Sequence, residues 1–207
     1  MASGRTDHSQ FASEVLMLPI MDMSQIAVPP FERTHGKRWM TDLERSVVIA
    51  LLAHVQAETV VEIGVNEGHL AFDVLKHLPV KRYIGIDLAP HSTHMPSIPS
   101  QQGEVPGTYI ARLVNGHPAF ELMMPPRGTL DLTNLPPCNA VIIDGDHSLE
   151  TVRHDTNLAT NAVCEGGVII WHDYAFWDGC GVPEVLESMP HRDIKNVINT
   201  NLAVEFR

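Results

Sequence analysis

The sequence predicts an α/β fold: a doubly wound, mostly parallel sheet with an antiparallel C-terminal edge. Three observations predict it. Short β-branched runs, such as Val60, Val61 and Ile63, YIGI at 83–86, NAVII at 139–143 and VIIW at 168–171, have the composition of strands buried on both faces. Segments with apolar residues at helical spacing lie between several of them, as in HLAFDVLKHL (69–78) and SLETVRHDTNLATNAV (148–163). The tail DIKNVINTNLAVEFR (193–207) alternates enough to supply two strands of an antiparallel edge.

Taken in order, residues 1–38 form an N-terminal arm that does not read as a regular element. They hold Met17, Met21, Met23 and the Pro29-Pro30 pair among scattered polar residues. Packing across the domain, covering a crevice, reaching a neighbouring subunit and partial disorder all stay open for it. The domain proper is expected over 39–207. Thr41 or Asp42 is an N-cap for the helix LERSVVIALLAHV (43–55), whose Leu43, Val47, Ile49, Ala50 and Val55 make one apolar face.

The organising stretch is Thr59 to Leu70. A buried strand breaks into a glycine turn (Gly64, Gly68) and continues as a helix. Ligands of such sheets sit beyond the carboxyl ends of the strands, which puts Glu62 and Gly64 at the crevice. A dinucleotide turn needs a middle glycine so that backbone can approach a pyrophosphate. Asn66 stands there instead, followed by Glu67, so the turn reads E-x-G-x-x-x-G and is poorly shaped for phosphates. The next strand ends in Asp87, an acid suited to accept bidentate hydrogen bonds from two ribose hydroxyls.

The 19-residue segment APHSTHMPSIPSQQGEVPG (89–107) is long for a connection inside a domain. Its His91 and His94 read as solvated loop residues. TYIARLVNG (108–116) reads as the third strand, ending at Asn115, Gly116 and His117, and PAFELMM (118–124) as a short helix. After the fourth strand comes the densest polar cluster, Asp144-Gly145-Asp146-His147. Ser148 caps the following helix, Glu165-Gly166-Gly167 ends it, and VIIWHDY (168–174) is the fifth strand. GVPEVLESM (181–189) is a short helix with Pro183 in its first turn.

Two strand ends, Asp144–His147 and His172-Asp173-Tyr174, should therefore meet at the carboxyl edge. Three carboxylates and two imidazoles there would repel if all were charged and unpaired. A divalent cation on Asp144 and Asp173, with His172, would offset that: Mg²⁺ on carboxylates alone, Mn²⁺, Fe²⁺ or Zn²⁺ once an imidazole joins. Asp146 and His147 are candidate bases. Trp171, Phe176 and Trp177 are candidate substrate walls.

The glycine turn with Asp87 resembles the first motif and following acidic strand end of class I S-adenosylmethionine (SAM) methyltransferases. The run IIDGDHSLETVRHDTNLATNAVCEGGVIIWHDY is similar to a signature of the subgroup with macrocin- and novobiocin-type O-methyltransferases and cephalosporin hydroxylase-like proteins. The resemblance covers about residues 40–175. It implies a Rossmann-like fold and methyl transfer to a hydroxyl of a small molecule, a sugar or sugar-bearing metabolite. It implies SAM held by Glu62, Gly64, Asn66, Gly68, Asp87, Asn115, Gly116, His117 and Asp144. It also implies a divalent metal on Asp144 and Asp173, with Asp146 as base. The chain departs at His172, where some members carry an acid, and this leaves metal identity open.

The composition sets bounds on these readings. At 207 residues, 44% apolar and 19% charged, the chain suits one globular domain. No apolar run approaches the roughly 18 residues of a spanning helix. MASGRTDHSQ lacks the marks of a signal peptide. With Cys138, Cys164 and Cys180 widely spaced, this fits reduced thiols in a cytoplasm. A net charge of −11 without a basic patch disfavours nucleic acid as a partner. A small-molecule acceptor, no membrane and an optional homo-oligomer remain. Two other classes stay in view. A NAD-dependent oxidoreductase or epimerase is opposed by Asn66 and by the absence of a Tyr-x-x-x-Lys pair. A non-catalytic SAM-binding sensor is opposed by the intact polar cluster.

Overall fold

The computed structural model describes residues 18–21, 23, 26, 40–90, 92, 109–174 and 179–207. Most of the arm, most of the segment after Asp87 (with His91 and His94), Phe176 and Trp177 lie outside the described residues.

The chain runs β1 (Ile20–Met21), α1 (Asp42–His54), β2 (Thr59–Ile63), α2 (His69–His77), β3 (Arg82–Ile86), β4 (Phe120–Met123), a 3₁₀ turn (Gly128–Asp131) and β5 (Cys138–Ile143). It continues through α3 (Leu149–Ala162), β6 (Val163–Trp171), α4 (Val182–Glu187), β7 (Lys195–Val197) and β8 (Ala203–Phe206). One eight-stranded sheet has the order β1-β7-β8-β6-β5-β2-β3-β4. β8 is antiparallel to both β6 and β7, and the other pairings are parallel. This is a Rossmann-like doubly wound sheet with an antiparallel edge.

Its two faces carry separate apolar layers. Val60, Tyr83, Ala140, Ile142, Val168 and Ile170 pack under α1 and α2. Val61, Ile63, Ile84, Val141, Ile143 and Ile169 pack under α3 and α4. The alternation follows from the two-residue period of a strand, and explains why these strands are apolar throughout.

α1 begins with a capping box. The Glu44 backbone N–H donates to Thr41 Oγ1 at 3.2 Å, and the Thr41 N–H donates to Glu44 Oε2 at 2.8 Å. Ser148 caps α3 by accepting from the Thr151 N–H. The tail forms the two antiparallel strands expected of it, and Pro183 sits in the first turn of α4.

Four expectations give way. Residues 109–116 are a run of turns, not a strand, because they bond to the glycine turn instead of to a sheet neighbour. Ala111 N–H donates to the Asn66 carbonyl at 2.6 Å, Leu113 N–H donates to that of Glu67 at 3.1 Å, and Ala111 takes a φ of +56°. PAFELMM, expected as a helix, instead supplies β4, in register with β3 from Tyr83↔Phe120 to Ile86↔Met123. Leucine and methionine favour helix, but an unpaired edge of β3 offers a full ladder, and tertiary pairing overrides propensity. The glycines at 166–167 do not separate helix from strand. β6 starts at Val163 and passes through them, since a Cβ on Gly167 would lie 2.4 Å from the Asn139 carbonyl oxygen. Finally, the arm contributes a regular element, with β1 parallel to β7.

Candidate functional site

β2 lies between β3 and β5, the point where the chain reverses the direction in which it adds strands. In such sheets ligands sit beyond the carboxyl ends of the strands at this point. The residues after β2, β5 and β6 are tied together there: Gly64 N–H donates to the Ile86 carbonyl, Asp144 N–H to that of Ile63 and His172 N–H to that of Ile143.

The glycine turn after β2 is shaped by close backbone approach. Gly64 has a φ of +88°, and a Cβ on it would stand 2.0 Å from the Asp144 carbonyl oxygen. Gly68 has a φ of +87° and heads α2; its missing Cβ admits Val114 and Ala111. Asn66, also left-handed at +51°, donates its backbone N–H to Asp87 Oδ2 at 2.9 Å. Asp87 Oδ1 accepts from the Leu88 N–H at 2.7 Å. Turn and acid are therefore one hydrogen-bonded unit. Burial raises the Asp87 pKa and the nearby Asp144 adds to it, while the backbone donors oppose.

Glu62, buried at the end of β2, accepts from the Tyr83 hydroxyl at 2.9 Å. Burial pushes its pKa well up; the tyrosine bond opposes this and the Asp144 and Asp87 charges add to it. Asn115, Gly116 and His117 stand apart from this group. They occupy exposed turns before β4, at its amino end, because the strand expected before them does not form. The carboxyl end of β4 is Met123, whose carbonyl accepts from the Asp87 N–H.

Beyond β5 and β6 the acids and imidazoles do meet. His147 Nε2 lies 2.7 Å from Asp173 Oδ2. His172 Nδ1 lies 3.0 Å from Asp144 Oδ1 and 3.1 Å from Asp173 Oδ2, and its Nε2 is 3.6 Å from Glu44 Oε2. Asp173 has a φ of +58°, a strained setting for a non-glycine residue that aims its carboxylate at both rings. Burial alone would lower the His172 pKa, but Asp144, Asp173 and Glu44 hold it well above the usual range. Burial alone would raise Asp173, but the two imidazoles hold it well below. Glu44 is brought down to about 2, the cost of burial being outweighed by His172, the Asn201 and Thr41 backbone N–H groups and the Thr41 hydroxyl.

Among the described residues, one group has ligand atoms close enough for a metal: Asp144, His147 and Asp173, all within 4.8 Å of one another. His147 completes this group, while the buried His172, expected there, has its Nδ1 within 3.1 Å of both carboxylates. The sequence offered no way to choose, since both histidines follow a strand. Asp146, in the same turn as Asp144 and His147, is partly buried. Trp171 is no substrate wall: it is wholly buried and donates Nε1–H to Thr156 Oγ1 at 3.0 Å. Glu44 lies on the first turn of α1, away from the polar strand ends to which the sequence points.

Comparison with known proteins falls on the same elements. No curated protein matches the chain significantly. Solved structures of similar shape include an O-methyltransferase from Bacillus cereus in complex with S-adenosylhomocysteine (SAH), at 14% identity and TM-score 0.56, covering 87% of this chain and 84% of that one. They include the O-methyltransferase TomG from Streptomyces achromogenes, involved in tomaymycin synthesis and in complex with SAM, at 17% identity and TM-score 0.54, covering 81% of each chain. A third is the SAH-bound methyltransferase PaMTH1 from Podospora anserina, at 12% identity and TM-score 0.58, covering 80% of this chain and 78% of that one. These likenesses establish the fold. A sequence profile described as a methyltransferase domain matches residues 61–174, from the glycine turn through Asp87 to the second polar strand end. That span is more than half of the chain and holds the whole crevice edge just described, and so the chain belongs to the methyltransferase-domain family.

Proposed function

We propose that the protein is a SAM-dependent O-methyltransferase acting on a hydroxyl of a small molecule, a sugar or sugar-bearing metabolite. The observation that carries the cofactor half is the unit formed by the glycine turn and Asp87 at the sheet's switch point. The residues fit the group. SAM has an ammonium and a sulfonium, and the acidic corner of Glu62, Asp87 and Asp144 suits cations. Asp87 faces the backbone N–H groups of Asn66, Leu88 and Val65, and its carboxylate keeps lone-pair capacity for ribose hydroxyls. Gly64, Asn66 and Gly68 shape the turn around which the ligand lies. Asn115, Gly116 and His117 precede β4, whereas the adenine is better served from the residues after its carboxyl end at Met123.

The metal half rests on Asp144, His147 and Asp173, two carboxylates and an imidazole, a set suited to Mn²⁺, Fe²⁺, Zn²⁺ or Mg²⁺. When bound, the cofactor supplies the electrophilic methyl group, and a metal lowers the pKa of an acceptor hydroxyl. The chain's own part is alignment and proton removal. His172 holds Asp144 and Asp173 in place, and Glu44 backs His172 from α1. Asp146 is the base that accepts the acceptor's proton, and His147, beside Asp173 and in the ligand group, is not needed for that step. No helix among the described residues is long and apolar enough to cross a membrane. A cytoplasmic setting and a homo-oligomer remain compatible with this reading.

The test is calorimetric titration with SAH and, separately, NAD⁺, with and without EDTA, on the wild type and Asp146→Ala. SAH should bind at micromolar Kd and NAD⁺ should not. Asp146→Ala should retain SAH binding and lose at least about 100-fold in turnover once an acceptor is found. Binding of NAD⁺ alone would sink the reading. Full turnover by Asp146→Ala would remove Asp146 as base.

A further inference from the structure

Tyr83 is wholly buried on β3, its ring 6.0 Å from that of Phe120 between centroids, within the apolar layer under α1 and α2. Its hydroxyl is a polar atom in that layer, and a buried hydroxyl is costly unless bonded. A phenylalanine would fill the same space without that cost. The hydroxyl donates to Glu62 Oε2 at 2.9 Å, a bond between two buried residues. The second oxygen, Oε1, has no hydrogen-bond partner among the described residues. Glu62 sits one residue before the end of β2, and the nearby acids Asp87 and Asp144 make the corner electronegative.

A glutamate side chain has three rotatable bonds, and without a partner for its carboxylate several rotamers compete. The tyrosine bond selects one of them and leaves one oxygen for a ligand. Preorganisation of this kind removes the ordering cost from the binding step. We propose that Tyr83 is a positioning residue for the cofactor's amino-acid end, its hydroxyl holding Glu62 so that Oε1 accepts from the cofactor ammonium. This rests on the reading of Glu62 as a cofactor residue.

The experiment compares two probes by calorimetry. SAH carries the ammonium; 5′-methylthioadenosine has the same nucleoside without the amino-acid end. Tyr83→Phe removes one oxygen and keeps the ring. It should weaken SAH about tenfold, as loss of a hydrogen bond to a charged group does, and leave methylthioadenosine within about twofold. Glu62→Asp keeps the charge but withdraws it from the tyrosine, and should reproduce that selective loss even if Tyr83→Phe does not fold. In a Glu62→Gln background, Tyr83→Phe should add nothing further. Equal weakening of both probes by Tyr83→Phe, unchanged SAH binding in it or in Glu62→Asp, or a full effect in the Glu62→Gln background would each overturn the proposal. The underlying reading fails separately: Glu62→Gln would then bind SAH as tightly as the wild type, or the wild type would bind neither probe.

Discussion

A single buried carboxyl beneath the D-G-D turn has a consequence measurable without any ligand. Asp155 on α3 is fully buried, close to Gly145, and faces Thr129 and the His154 ring. Burial raises its pKa to about 7, with Thr129 and His154 opposing and Asp146 adding to the rise. An unfolded aspartate titrates near about 4. The stability it contributes is therefore full below about pH 4 and is lost as pH rises through about 7. Asp155→Asn cannot ionise. Relative to the wild type its stability should climb between pH 5 and 8 by on the order of 1–3 kcal/mol and then level off. Urea melts across that range check this, and two parallel curves would show that Asp155 is ionised throughout. Such a residue is invisible in the sequence. In SLETVRHDTNLATNAV it reads as one polar position of an amphipathic helix, and only the turn packed over it makes it a buried acid.

Strand ends were more legible than the segments between them. The β2 turn, Asp87 and the two polar strand ends all lie where their sequence motifs place them, because each follows a β-branched run long enough to be buried on both faces. Their mutual approach has a clear test. With a φ of +88° and a Cβ position 2.0 Å from the Asp144 carbonyl oxygen, Gly64 joins the ends of β2 and β5, and backbone cannot step aside. Gly64→Ala should destabilise by more than about 3 kcal/mol, read as a lowered urea midpoint. A loss under about 1 kcal/mol would mean that the two strand ends separate easily. Residues 109–124 show the opposite case. Their apolar residues fit a strand, a helix or a turn equally well. The choice fell to two backbone bonds from the glycine turn and to an edge of β3 that needed a partner.

The outer edge of the sheet is closed by a strand contributed from the N-terminal arm. Met21 is buried against the core, the Asn196 N–H donates to the Pro19 carbonyl, and the Leu18 N–H donates to the Tyr174 hydroxyl at 3.1 Å. The same hydroxyl donates to Glu187, so the arm is tied to the residue directly after Asp173. The cofactor half of the crevice lies on the far side of β5. Removing residues 1–23 should therefore lower Tm by several degrees, roughly 1–2 kcal/mol of stability, while SAH affinity stays within about twofold. Thermal melts with and without SAH decide it. A protein that no longer binds SAH would place the arm's role at the crevice itself.

Local chemistry was enough to specify the central strands β2, β3, β5 and β6, the antiparallel tail, the glycine turn and the acids at the strand ends. Burial period, glycine spacing and capping pairs all act within a few residues of each other. The tertiary structure alone decided that His147 meets Asp173 and that His172 meets both Asp144 and Asp173. It also decided that Glu44 reaches His172 from α1, that Tyr83 meets Glu62, and that Asp155 loses its water. Each of these is a meeting of side chains from different elements. Their energies depend on distance and on exclusion of solvent, and neither exists until the sheet has brought the elements together.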